Sequence, residues 1–128
     1  DFLSHRNRLQ LEKWNEKPLE QVKQTIHGVI RETMQRCSEN EACASWDGSL
    51  SYQDLHDHAS RIASHLINQG VGPEVIVPLF FEKSKWNLVA MLSVLYAGGA
   101  FLPLDPANPK QRLQYLVEST NANILLCS

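Results

Sequence analysis

The stretch Leu95-Tyr-Ala-Gly-Gly-Ala-Phe-Leu-Pro-Leu-Asp-Pro-Ala-Asn-Pro109 decides the fold. An apolar helix is expected to end at Gly98-Gly99, because residues without a Cβ can take the left-handed conformation that closes a helix. A short buried strand, Ala100 to Leu104, should follow, and Asp105-Pro106 should turn the chain. Asn108 is expected as N-cap of the next helix, with Pro109 at its first position and Gln111 completing a capping box. Helix, stop, strand, turn and helix start thus follow one another, which is half of a parallel α/β unit.

Upstream, Val75 to Phe81 is nearly all apolar, as befits a strand covered on both faces. Pro78 has no ladder N–H, so this strand is expected to lie at an edge, to be bulged, or to end near Pro78. Ser84 should cap a helix over Lys85 to Ala97 that is apolar on most sides and so expects further protein against it. Downstream, a helix from Pro109 to about Thr120 has Leu113, Leu116 and Val117 inward, and Asn123 to Cys127 reads as a last strand. Strand, helix, strand, helix, strand with short connections predicts right-handed crossovers and a parallel sheet, a layered flavodoxin-like α/β fold.

Before that unit, Thr25 to Cys37 reads as an amphipathic helix with Ile26, Val29, Ile30, Thr33, Met34 and Cys37 on one face. A hairpin is expected over Ala42–Ser51, turning at Asp47-Gly48. Ser51 then caps a helix to about Gln69, with Asp54 closing a capping box and Leu55, Ala59, Ile62, Ala63, Leu66 and Ile67 inward. Gly70 ends it. Asp1 to Gln24 is a polar arm with sparse anchors at Phe2, Leu3, Leu9, Leu11 and Trp14. Ser4 caps a short helix to about Glu12, and Lys17-Pro18 argues for extended chain afterwards.

The sequence has 128 residues, 43% of them hydrophobic and 20% charged, which leaves room for one domain with a moderate core. A net charge of −2 offers no electrostatic case for nucleic acid or an acidic membrane. No apolar run approaches the roughly 20 residues that span a bilayer. Asp1 is not an initiator Met and no signal-peptide pattern precedes the fold, so the chain reads as a piece of something longer. Cys37, Cys43 and Cys127 include no C-x-x-C pair, and reduced, mostly buried thiols of a cytosolic protein are expected.

Candidate chemistry is sparse. A phosphate loop needs Gly-rich backbone between a strand and a helix N-terminus. Gly70-Val-Gly72 follows a helix and runs into Pro73, and Gly98-Gly99 sits at a helix C-terminus. His56, His58 and His65 stand two, seven and nine residues apart, not at the i, i+4 spacing of a helical metal pair. His5 and His27 are isolated. Ser84 between Lys83 and Lys85 reads as a cap before it reads as a nucleophile. Glu82 and Asp105 could be drawn as a carboxylate pair, but Asp105-Pro106 is a turn former and no spacing fixes their distance. Trp46, Trp86 and Phe101 read as core or interface residues. The residues themselves assign no catalytic, cofactor-binding or metal site.

The opening stretch resembles the second core motif of nonribosomal peptide synthetase adenylation domains, Leu-Lys-Ala-Gly-x-Ala-Tyr-Val-Pro-Leu-Asp-Pro. Tyr96 stands in for the usual Lys, and Phe101 and Leu102 for Tyr and Val. Leu50-Ser-Tyr-Gln-Asp-Leu55 resembles the first core motif, with Asp54 in place of Glu. The resemblance, to the fungal type, covers roughly Thr25 to Ser128 and is weaker over Asp1 to Gln24.

It implies an adenylate-forming enzyme that joins an amino acid to ATP, with Mg, releases pyrophosphate and passes the acyl group to phosphopantetheine on a carrier domain. It also implies that residues 25–128 are one part of that domain, that 1–24 link it to an upstream condensation domain, and that the enzyme is cytoplasmic. The family's phosphate loop, substrate pocket, ribose-binding Asp and catalytic Lys follow the second motif, so no catalytic residue carries over and the chain is expected to be inactive alone. Acyl-CoA ligases and luciferase-like enzymes share the fold but match Ala97–Pro106 less well. Two other readings stand beside this one: a docking or self-association module, and a free-standing flavodoxin-like nucleotide binder.

Overall fold

The computed structural model describes residues 3–17 and 21–128. The elements in order are α1 (His5–Trp14), α2 (Ile26–Arg36), β1 (Glu41–Ser45), β2 (Gly48–Ser51), α3 (Tyr52–Asn68), β3 (Ile76–Phe80), α4 (Lys85–Tyr96), β4 (Ala100–Leu104), α5 (Lys110–Ser119) and β5 (Leu126–Cys127). β1 and β2 form an antiparallel hairpin, and β3, β4 and β5 a parallel sheet in the order β4-β3-β5. The expected parallel α/β unit is present.

Its joints follow from helix-end chemistry. At the end of α4, Gly99 N–H donates to Val94 C=O at 3.0 Å and Gly98 N–H to Leu95 C=O at 3.1 Å. This is the paired closure known as a Schellman motif. Gly98 supplies the left-handed turn, with φ +82°. Gly99 has a different reason: a Cβ there would lie 2.8 Å from Val71 Cγ1 and 3.1 Å from the Val75 carbonyl. The end of α3 is built the same way, Gly70 N–H donating to Ile67 C=O and Val71 N–H to Leu66 C=O, with Gly70 at φ +90°. Ser51 and Asp54 make the expected capping box on α3.

Two apolar clusters lie side by side. One joins α3 and α4 to the sheet through Ala63, Leu66, Val71, Val77, Leu79, Ala90 and Val94. The other joins α2 and the hairpin to the same helices through Met34, Leu50, Leu55, Ala59, Val89 and Leu92. Helix α4 touches both, so its nearly all-apolar sequence is explained by its place. Ser93 is fully buried there and satisfies its hydroxyl on the Val89 carbonyl at 2.6 Å.

Several expectations need correction. Pro78 sits in the central strand, not at an edge. Ala100 N–H donates to the Val75 carbonyl at 2.8 Å, and this sets the phase of the ladder. Val75, Val77 and Leu79 turn to β4, and Ile76, Pro78 and Phe80 to β5. Pairing with β5 starts only at Leu79↔Leu126, so the missing N–H of Pro78 faces chain that has not yet joined the sheet. The hairpin turns on Trp46-Asp47, because Ser45↔Gly48 closes the ladder. Asn108 does not cap α5: Pro109 occupies the cap position without a side-chain bond, and no capping box forms at Gln111.

Burial departs from expectation too. Only Met34 of the α2 stripe is buried, and Ile26 is 72% exposed. Ile67 faces outward, and in α5 the expected inward residues Leu113, Leu116 and Val117 are half-buried, none of them fully. Trp14 is 70% exposed and does not tie down the arm. The Phe2 anchor and the extended chain expected at Pro18 lie outside the described residues.

Candidate functional site

At the carboxyl ends of β3 and β4, Trp46, Glu82, Lys83, Asn87, Asp105 and Pro106 line an open cavity of about 730 Å³. Both carboxylates of the imagined pair reach this rim. Asp105, however, is committed to its turn: its Oδ1 accepts from Ala107 N–H at 2.9 Å and its carbonyl from Asn108 N–H at 3.0 Å. Trp46 is anchored by its indole N–H, which donates to the Lys83 carbonyl at 2.7 Å. These contacts build a wall.

Ser84 occupies the N-cap of α4 but makes no side-chain cap bond. Asp47, at the hairpin tip, does the capping instead, its Oδ1 accepting from Lys85 N–H at 3.2 Å. Burial works to raise the Asp47 pKa, but hydrogen bonds from the Lys85 N–H and the Ser45 hydroxyl, with the Lys85 charge, hold it below the usual carboxylate value. The Lys85 ammonium leans over Trp86, 5.7 Å from the ring centroid. The Asp54 carboxyl is also held low, chiefly by the Ser51 hydroxyl and backbone N–H.

The histidines disperse. His58 meets Trp86 edge-on at 5.2 Å. His65 lines a second cavity of about 560 Å³ with Arg61, Ile62, Phe81, Trp86 and Leu126, an open apolar end of the core. His56 turns to Tyr96, its Nδ1 3.2 Å from the phenol oxygen. Tyr96 in turn donates to Met34 Sδ at 3.4 Å, and Arg31 lies over its ring at 4.9 Å. Tyr96, the departure from the motif, is thus the hub of the α2–α3–α4 junction. Its replacement of Lys was visible in the sequence; its partners, drawn from α2 and α3, were not.

Among the described residues no group of three His, Cys, Asp or Glu could hold a metal ion. Cys37 and Cys43 are half-buried thiols, and Cys127 is exposed against expectation. In the two glycine stretches the N–H groups of Gly70, Gly98 and Gly99 are spent on helix carbonyls, so these three are not turned to an anion.

The match to known proteins is extensive. Residues 30–128 match the family model described as AMP-binding enzyme. The chain belongs to that family, as part of a nonribosomal peptide synthetase adenylation domain. Nonribosomal peptide synthetase 1 of Aspergillus fumigatus is 56% identical over 103 residues, 80% of this chain and 2% of the relative. Nonribosomal peptide synthetase TES of Alternaria alternata is 46% identical over 127 residues, 95% of this chain and 2% of its own length. Nonribosomal peptide synthetase atnA of Emericella nidulans is 44% identical over all 128 residues, again 2% of its length.

Among solved structures, the nonribosomal peptide synthetase FmoA3 with α-methyl-L-serine-AMP bound superposes at a TM-score of 0.84 and 31% identity. The match covers 100% of this chain and 14% of that one. The adenylation-domain segment described here therefore spans a small part of the proteins it matches.

Proposed function

We propose that this segment is framework for an adenylation domain that activates an amino acid with ATP and Mg as an aminoacyl-adenylate and loads it onto the phosphopantetheine of a carrier domain. In this reading residues 25–128 belong to the adenylation domain, and residues 1–24 join it to an upstream condensation domain in a cytoplasmic enzyme. None of its own side chains enters the reaction. The observation that carries the reading is the unit from Ile76 to Leu104: its sequence is that of the family, and its two glycine amides, at Gly98 and Gly99, close α4. Among the described residues no helix is long and apolar enough to cross a membrane, in keeping with such an enzyme.

The test is amino-acid-dependent ATP–pyrophosphate exchange by the longer polypeptide that carries this sequence, run across amino acids and fatty acids. Exchange with an amino acid supports the reading. Exchange with fatty acids alone assigns the segment to an acyl ligase instead.

A second reading, a docking or self-association surface, is favoured by the exposure of Trp14 at 70% and Trp86 at 41%. Light scattering of the 128-residue chain decides it: a monomer that stays soluble at high concentration rejects it.

A further inference from the structure

Between α2 and α3, where Tyr96 of α4 fills the junction, a groove of about 460 Å³ is lined by Arg31, Met34, Gln35, Ser38, Gln53 and His56. Its polar wall is a guanidinium, two amides, a hydroxyl and an imidazole, and no carboxylate lines it. Arg31 is held over the Tyr96 ring at 4.9 Å. A guanidinium fixed on an aromatic face keeps N–H groups at its edges for an acceptor in its plane.

The neighbouring groups define which donors are available. His56 Nδ1 is taken by the Tyr96 hydroxyl at 3.2 Å, so only the far side of that imidazole can face a ligand. Gln53 gives its amide N–H to Asp57 at 3.0 Å and acts as wall. Ser38 gives its carbonyl to the Gln53 N–H at 2.9 Å, leaving its hydroxyl unspent on the backbone. Arg31, Gln35 and Ser38 remain, a cation with two neutral donors lining the same groove.

We infer that this groove is a binding site for a small oxyanion, a carboxylate or a phosphate, held by Arg31 with Gln35 and Ser38. The inference is independent of the proposed catalytic framework: it concerns the α2–α3 face and not the ends of the strands.

Amide proton–nitrogen correlation spectra of the 128-residue chain test it, titrated separately with sodium acetate, sodium phosphate and sodium chloride at constant ionic strength. Saturable shifts at Gln35, Ser38, Gln53 and His56 with acetate or phosphate, and none with chloride, are expected. Whichever oxyanion saturates first identifies the source. Arg31→Ala should weaken binding about tenfold or more, and Arg31→Lys by less, since a lysine keeps the charge but not the fork. Gln35→Leu leaves Arg31 in place and should weaken binding severalfold even if Arg31→Ala does not fold. Equal shifts with chloride would mean an adventitious ion only. That result, shifts mapping elsewhere, or unchanged affinity in Arg31→Ala or Gln35→Leu would overturn the proposal.

Discussion

Asp47 caps a helix that begins 38 residues further along the chain, its Oδ1 accepting the Lys85 backbone N–H at 3.2 Å. With the Trp46 indole on the Lys83 carbonyl at 2.7 Å, the hairpin tip clamps the start of α4. Two polar contacts thus join the hairpin tip to the start of α4, the first because an unsatisfied amide at a helix N-terminus takes a well-placed oxygen.

The clamp makes stability depend on acid. Asp47 and Asp54 both have carboxyl pKa values held below the ordinary 3.8. A lowered folded-state value means stability fully present above 3.8 and lost as pH falls through the lower folded values. Thermal melts across that acid range should show a loss for the natural chain and a shallower one for Asp47→Asn. Parallel acid limbs in the two proteins would show that the contact does not carry charge-dependent stability.

Gly98 and Gly99 should fail for different reasons. Gly98→Ala forces a left-handed alanine and should cost about 1–2 kcal/mol. Gly99→Ala drives a methyl into Val71 and the Val75 carbonyl, and should cost about 1–3 kcal/mol as overpacking. The pair is separated by a Val71→Ala background, which should relieve Gly99→Ala and leave Gly98→Ala unchanged in urea unfolding. Equal effects of Val71→Ala on both variants would contradict this division.

The core is unevenly shared. Leu66 is 1% exposed and Leu79 1% exposed, so truncating either to Ala should cost about 2–5 kcal/mol. Helix α5 buries no residue, so Leu116→Ala should cost less than about 1 kcal/mol. Amide hydrogen exchange should correspondingly be slowest in α3, α4 and β3 and fast in α5. Slow exchange throughout α5 would mean that it is packed more firmly than its burial allows.

Much of this was legible in advance because it is local. Gly70 and Gly98 end their helices, Ser51 and Asp54 make their box, and the apolar runs at Ile76–Phe80 and Ala100–Leu104 pair in parallel. What escaped was set by distant partners. Ser84 lost its capping role to Asp47, and Pro78 was tolerated in the central strand because β5 joins late. His56 found Tyr96, 40 residues away. The candidate rim followed the same rule: Glu82 and Asp105 met at one cavity although no spacing placed them there.

The framework reading is tested most directly by rewriting that rim. In the longer polypeptide, Glu82→Gln, Lys83→Met and Asp105→Asn together remove its charged groups. Amino-acid-dependent ATP–pyrophosphate exchange should stay within about threefold of the natural enzyme in kcat/KM once the melting temperature is matched. A fall of about a hundredfold or more in a protein that melts normally is the size expected for a lost acid or base, and it would place reacting groups in this segment after all.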